Sequence, residues 1–387
     1  MENDRIPFTR VHVTGREIEY IRQAIDGNRL GGDGAFSKRC EAWLEKATGS
    51  PRALLTHSCT AALEMAAILA GVEPGDEVIL PSFTFVSTAN AFVLRGAVPV
   101  FVDIEPRTLN LDPDAVRKAI TGQTRAIVPV HYAGVAADME ALLEIGRNCG
   151  ATIIEDAAQA LLADWNGKPL GSIGALAALS FHETKNVTSG EGGCLLVNDP
   201  SLIERAEIVR EKGTNRSRFH RGQVDKYTWV DIGSSYLPSE LTAAFLLAQL
   251  EQSVEITTAR RRVWDWYHAV LEPLETEGRL VRPSTGGANA HIYFILLPSL
   301  EERTALIDAF KRDGISAVFH YVPLHSSPGG RRYGRTAGPL PVTEDVSDRL
   351  LRLPLWADMT REDVQSVVDS MSRALRIRGG SAVPCPA

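Results

Sequence analysis

Ser180-Phe181-His182-Glu183-Thr184-Lys185-Asn186, closed by Gly190-Glu191-Gly192-Gly193, is the stretch that decides how this chain is read. It sets a single lysine between an apolar strand that ends near Phe181 and a glycine-rich bend from which a second apolar strand departs. An amine held at a strand end is partly desolvated, so its pKa falls and it can condense with a carbonyl to an imine. Twenty-nine residues earlier stands Asp156, in Ile153-Ile154-Glu155-Asp156-Ala157-Ala158-Gln159-Ala160. There another apolar strand delivers a carboxylate at its C-terminal end.

Working outward from these two strands, residues 52–198 alternate apolar strands with helical patterns. Strands are expected over 53–56, 77–80, 98–103, 126–130, 152–155, 177–181 and 194–197, and helices over 60–70, 87–94, 112–119 and 139–149. Strands that are apolar on both faces and joined by helices make a mainly parallel sheet covered on both sides. Ligands of such sheets gather at the carboxyl ends of the strands. Residues 56–60, 82–85, 156–159 and 180–185 all fall at such ends. A buried aspartate facing a lone lysine there suits pyridoxal phosphate (PLP): the carboxylate keeps the pyridine nitrogen protonated and the lysine holds the aldehyde as a Schiff base. Beyond the sheet, a long helix is expected over 239–271. A small α+β domain follows, with a strand at 292–297, a helix at 301–313, a strand-like run at 317–321 and a last helix at 361–376. The expected division is a large domain over 1–250, a small one over 251–377 and a disordered tail over 378–387.

With 387 residues, the chain exceeds what one hydrophobic core usually holds. Its 44% hydrophobic and 23% charged residues are ordinary for a globular enzyme. A net charge of −7 argues against nucleic acid or an acidic membrane as partner. No apolar run is long enough to span a bilayer, and the N-terminus lacks a signal-peptide core, so a cytoplasmic location is expected. The five cysteines, Cys40, Cys59, Cys149, Cys194 and Cys385, form no Cys-x-x-Cys pair, which speaks against a metal or iron–sulfur site and for free thiols.

Around the lysine and aspartate, several side chains have both a site reading and a plainer one. Thr56-His57-Ser58-Cys59-Thr60 joins a strand to a helix, and its hydroxyls with the helix N–H groups make a cradle for phosphate. A serine or threonine at a helix start is ordinarily only a cap. In Pro81-Ser82-Phe83-Thr84-Phe85, Phe85 can stack on a pyridine face, although aromatic residues more often fill cores. Gln159 can bond a ring hydroxyl or simply face solvent. His182 is a substrate contact, a support behind the site, or a structural histidine. His320, Tyr321 and His325, in Val318-Phe319-His320-Tyr321-Val322-Pro323-Leu324-His325, suit a small domain that closes on substrate, or a strand followed by a proline turn. Gly31-Gly32-Asp33-Gly34 is too short for a dinucleotide fingerprint and reads as a flexible loop, over the site in one reading.

Taken together, Glu155-Asp156-Ala157-Ala158-Gln159, the lysine stretch and the glycine turn resemble the DegT/StrS-type PLP-dependent sugar aminotransferases, from about residue 7 to 374. That resemblance implies the aspartate aminotransferase-like fold, PLP fold type I. Ser58-Cys59-Thr60, the stretch 211–217 and the stretch 225–240 are similar to one branch, the TDP-4-amino-4,6-dideoxyhexose transaminases. It implies Lys185 as the Schiff-base lysine and Asp156 as the pyridine partner. Gln159 goes to the ring oxygen, Phe85 over the ring, and Ser180, Cys59 and Thr60 to the phosphate. It implies a homodimer with shared active sites, in which residues matching 233–238 reach the neighbouring phosphate. Many relatives use an asparagine there; this chain has Ser235 in that stretch. The implied reaction takes an amino group from L-glutamate to C4 of TDP-4-keto-6-deoxy-D-glucose, in the gluco or galacto configuration. Amination at C3, a PLP-dependent sugar dehydratase, an amino-acid aminotransferase and a non-enzymatic PLP-binding regulator are the alternatives. Relatives that dehydrate replace the lysine by histidine, whereas Lys185 is kept here. No arginine in these motifs is an obvious clamp for an amino acid's distal carboxylate.

Overall fold

The computed structural model describes residues 5–284 and 287–376, so the expected tail over 378–387 lies outside the described residues. The strands of the first part are β1 (Arg52–Thr56), β2 (Glu77–Pro81), β3 (Val98–Val102), β4 (Thr124–Ile127) and β5 (Thr152–Asp156). A short hairpin, β6 (Asp164–Trp165) and β7 (Lys168–Pro169), precedes β8 (Leu176–Ser180) and β9 (Gly193–Val197). Later come β10 (Tyr293–Leu296), β11 (Arg335–Thr336) and β12 (Leu350–Leu353). One eight-stranded sheet has the order β1-β9-β8-β5-β4-β2-β3-β11. All neighbours from β11 to β8 run parallel, while β9 lies antiparallel to both β8 and β1. The result is an α/β fold with a mainly parallel mixed sheet, as the alternating apolar runs require.

The helices beside the sheet begin where the sequence supplies caps. They are α1 (Glu17–Asp26), α2 (Ala35–Thr48), α3 (Cys59–Leu69), α4 (Val86–Val93), α5 (Pro113–Ala119) and α6 (Met139–Cys149). Ser58 accepts a bond from the Ala61 N–H and caps α3; Asp138 caps α6, which ends at Gly150 in the left-handed conformation. On α3, Ala62, Met65, Ala66 and Leu69 pack with Leu54, Leu80, Ile154 and Leu195 from one face of the sheet. The opposite face carries Leu55, Leu179 and Leu196 against Leu44 of α2 and Ala244 and Leu247. A strand covered on both faces must be apolar at every position, and all five residues of β9 are buried.

Two expectations fail locally. The pattern over 239–271 is two helices, Glu240–Glu251 and Ser253–Val270, broken at Gln252, whose φ of −115° and ψ of 17° leave the helical region. The first helix buries Ala243, Ala244, Leu246 and Leu247 against the large sheet, and the second buries Val263, Trp264 and Tyr267 in a separate core. One straight helix cannot aim its apolar stripe at both. The run 317–321 forms no strand; Val318 makes only an isolated bridge to Arg352 before the chain turns toward the large sheet. The separate core is built on the antiparallel pair β10–β12 with Phe310, Val367 and Met371. The chain crosses between the two bodies: Ile6 bridges Ile315, and β11 pairs with β3 at the edge of the large sheet.

Neighbouring residues at the end of β5 point to opposite faces of the sheet, as the two-residue period demands. Glu155 is fully buried and accepts bonds from the N–H groups of Gly171, Ile173 and Gly174 at 2.6–2.8 Å. His131 Nε2 lies 2.8 Å from its carboxylate, and the Ala137 N–H donates to His131 Nδ1, so the ring proton sits on Nε2. Burial alone would raise the Glu155 pKa, but the bonds from His131, Gly174 and Gly171 hold it below the ordinary carboxylate value. A depressed folded-state pKa contributes stability above the unfolded value, and that stability is lost as pH falls through the folded one. Glu155→Gln is therefore expected to lose about 2–4 kcal/mol near neutral pH, with the deficit shrinking in acid. Denaturant melts across pH check this; a deficit that does not depend on pH would contradict it.

Candidate active site

At the carboxyl ends of β1, β2, β5 and β8 lies a cavity of about 410 Å³. It is lined by Ser58, Cys59, Thr60, Phe85, Thr88, Asp156, Gln159, Ser180, His182, Lys185, Tyr321 and, from elements far along the chain, His291, His320 and Arg352. The sequence motifs thus converge on one space, which is what the strand ends of a parallel sheet provide. His325 and Ser235 do not line it. The His325 ring bonds the Ser82 hydroxyl at 2.7 Å and lies 3.3 Å from Glu344, so it anchors the turn rather than facing the cavity. Ser235 sits on the exposed surface and bridges Glu211 through the backbone. The loop at Gly31 to Gly34 is not over the cavity: it packs on Leu237, Pro238 and Glu240, whose carboxylate accepts the N–H groups of Gly34, Phe36 and Ser37.

Asp156 is 5% exposed, and its carboxylate accepts the Thr88 hydroxyl at 2.7 Å and the Ala158 N–H at 3.1 Å. Among the described residues no cation pairs with it. A buried, ionised carboxylate without a counter-charge is costly, so the site suits a ligand that brings a positive N–H. Thr88 is held in turn by Thr84 at 2.9 Å. Gln159 does not face solvent: it is 5% exposed, accepts the Ala133 N–H at 2.7 Å and donates to the Tyr321 phenol at 2.8 Å.

Lys185 sits in the β8–β9 turn, where its N–H donates to the His182 carbonyl and the Phe181 N–H to the Gly192 carbonyl. Gly193 permits this turn to pass under α3, since a Cβ there would lie 2.4 Å from the Cys59 nitrogen and from the Ser58 carbonyl. The amine has no ion-pair partner among the described residues. Desolvation, ahead of every charge effect, lowers its pKa below the ordinary lysine value. Next to it, the Asn186 amide donates to the Asn289 carbonyl at 2.7 Å and its oxygen lies 2.9 Å from His291 Nδ1. Burial, with the charges of Lys185, Arg260 and Arg352, holds His291 well below the usual histidine range, and His320 is lowered in the same way. Both imidazoles are therefore neutral at physiological pH. His320 stacks on Tyr321 at 3.7 Å between ring centroids, and its Nδ1 bonds the Tyr132 hydroxyl at 2.8 Å.

The start of α3 is the candidate cradle for an anion. Ser58, Cys59 and Thr60 line the cavity there together with Ser180, and the Thr60 and Ser87 hydroxyls lie 2.8 Å apart. Phe85 is 59% exposed at the mouth and lines the cavity. An anion cradle, an unpaired buried carboxylate and an unpaired desolvated lysine in one cavity fit PLP end to end. The motif reading singled out His320 beside Tyr321 but missed Thr88, His291 and Arg352. Thr88 was visible as the hydroxyl-rich start of α4, whereas the other two carry no local signal.

The chain matches the DegT/DnrJ/EryC1/StrS aminotransferase family over residues 12–372. It is 33% identical to the GDP-perosamine synthase of Caulobacter vibrioides over 96% of this chain and 98% of that protein. DesV of S. venezuelae is 30% identical with a TM-score of 0.86, covering 96% of this chain and 99% of that one. The sugar aminotransferase Spr1654 of Streptococcus pneumoniae, described as putative and solved in its PMP form, gives 26% and 0.88 over 96% and 100%. In cofactor-free protein, competitive acylation across pH is expected to give Lys185 a titration midpoint below that of the protein's other lysines. A midpoint in the ordinary lysine range would contradict the desolvated setting described above. With fold, cavity and sequence in agreement, the chain belongs to the DegT/DnrJ/EryC1/StrS aminotransferase family and is a PLP-dependent sugar aminotransferase.

Proposed function

We propose that the protein moves the amino group of L-glutamate to C4 of a nucleotide-linked 4-keto-6-deoxyhexose. The acceptor is TDP-4-keto-6-deoxy-D-glucose, and the products are 2-oxoglutarate and a TDP-4-amino-4,6-dideoxyhexose. The observation that carries the reading is the single cavity in which an unpaired Lys185 and an unpaired Asp156 meet beside a phosphate cradle. The TDP-linked acceptor rests on the branch-like stretches 211–217 and 225–240. A relative named GDP-perosamine synthase supports a nucleotide-linked sugar and makes the GDP-linked ketosugar the first competitor to assay.

In this reading Lys185 would hold the cofactor by its aldehyde carbon, and its freed amine would carry the proton from the donor's α-carbon. Asp156 would keep the proton on the pyridine nitrogen, with Thr88 fixing its carboxylate. Bound PLP supplies an electron sink for the charge that develops at the donor carbon. Gln159 is assigned to the ring oxygen, Phe85 to the ring face, and Ser180, Cys59 and Thr60 to the phosphate. The neutral rings of His320 and Tyr321, with His182 at the rim, offer hydrogen bonds to sugar hydroxyls without competing for the phosphate.

Two such chains are proposed to form a homodimer in the cytoplasm. Trp229 is 79% exposed, and Phe219, Tyr227, Val230 and Ile232 near it are exposed as well. An aromatic cluster of this kind is the composition of an interface core. Ser235, exposed at the end of this segment, is then free to reach the neighbouring phosphate.

Borohydride reduction of the loaded protein should fix the cofactor to the peptide containing Lys185, and Lys185→Ala should abolish turnover while the cofactor still binds. Proton NMR of the product's sugar ring should report an amine at C4 when the TDP-ketosugar and L-glutamate are supplied. Fixation to another lysine, or a faster reaction with a free keto acid, would contradict the reading. Light scattering should give a dimer; a fully active monomer would rule out shared sites.

A further inference from the structure

We propose that Arg352 is the residue that grips the α-carboxylate of the amino donor, and so sets which amines can load the cofactor. The inference rests on the aminotransferase reading above. Arg352 stands on β12, opposite Phe294, and reaches across into the cavity that holds Lys185. Its guanidinium lies 4.6 Å over the Phe8 ring, which fixes its plane without using its N–H groups. Among the described residues the guanidinium has no ion pair and no hydrogen bond to protein, and its Nε is buried without a partner.

The contrast with the buried arginines Arg210, Arg260 and Arg349 is direct. Arg210 pairs with Glu41 and Asp33, Arg260 donates to the carbonyls of Ala290, His291 and Leu355, and Arg349 pairs with Asp345. Each has partners within the fold, although Arg210 Nε and Arg349 Nη2 are left without one, whereas the half-buried Arg352 on the cavity wall has no ion-pair or hydrogen-bond partner for its guanidinium at all among the described residues. The groups around it are the phenols of Tyr132 and Tyr321, both kept neutral by burial, the neutral imidazoles of His291 and His320, and the cations Lys185 and Arg260, none of them an anion. A guanidinium is never deprotonated at physiological pH and matches a carboxylate with two parallel bonds. The two anionic groups of the loaded site are already accommodated elsewhere: the phosphate at the start of α3, and Asp156 by the ring nitrogen. What is left for Arg352 is an anion delivered beside Lys185, and the α-carboxylate is bonded to the carbon on which Lys185 acts. Sequence gave no warning, because Arg352 follows Lys185 by 167 positions and sits in an apolar strand.

The test separates the two half-reactions. Single-turnover loss of the lysine-linked visible band is followed against L-glutamate concentration. Return of the band is then followed against the ketosugar with aminated cofactor in place. Arg352→Gln should raise the apparent Kd for L-glutamate by about 100-fold and change the ketosugar constant less than about threefold, with Arg352→Lys between the two. Calorimetry with α-methyl-L-glutamate, which cannot lose an α-proton, should show the same loss of binding without turnover. The wild type should favour L-glutamate over its α-carboxamide, isoglutamine, and Arg352→Gln should lose that preference. Melting temperature and the intensity of the cofactor band confirm that each variant is folded. An unchanged Kd for L-glutamate in a folded variant overturns the proposal. So does an equal loss in both half-reactions, which would assign Arg352 to the acceptor's diphosphate. Failure of the wild type to accept nitrogen from any amino acid would instead overturn the reading on which the proposal rests.

Discussion

The carboxylate of Asp156, buried at the end of a central strand with no cation paired to it among the described residues, is the constraint on which the rest of the site depends. A charge in that position is tolerated only if hydrogen bonds hold it and a ligand completes it. Thr88 and the Ala158 N–H supply the first part. The strand that carries Asp156 is in turn pinned on its other face by Glu155, which gathers three backbone N–H groups and His131. Two adjacent acids, pointing to opposite faces, therefore do different work: one holds the strand, the other faces the cavity.

Around that anchor the cavity keeps its charges few and separated. Lys185 is desolvated and unpaired, so its amine can exist in the neutral form that condensation requires. His291 and His320 are neutral because burial and nearby cations both oppose their protonation. They can therefore donate or accept hydrogen bonds to a sugar without attracting anions away from the cradle at α3. Arg352 is the exception, a permanent cation on the wall contributed by the second body. Placing it there means that the donor's charge is read by one body and the cofactor is held by the other.

Much of this was legible in the sequence because many of the cavity-lining residues lie on strand ends, where a local pattern announces them. Apolar runs ending in Asp156 and Ser180 located the sheet's edge, and the glycine turn located Lys185. Gln159 was legible as a candidate, but only the fold shows that it is buried between Ala133 and Tyr321. His291 and Arg352 were not legible, since they reach the cavity through tertiary packing of segments more than 100 positions from Lys185 and follow no spacing rule. His325 failed for the opposite reason: its local setting resembled that of Tyr321, but Ser82 draws its ring into the turn. The continuous pattern over 239–271 hid a break because both halves are helical; only the need to serve two cores separates them at Gln252.

The most direct test of the central claim is the ¹⁵N chemical shift of the pyridine nitrogen of labelled PLP bound to the protein, with Asp156→Asn as reference. If the buried carboxylate holds the ring proton, the nitrogen stays protonated from about pH 6 to 9 in the wild type and loses its proton in the variant. A nitrogen that is unprotonated in the wild type, or one whose shift is the same in both proteins, would contradict the account.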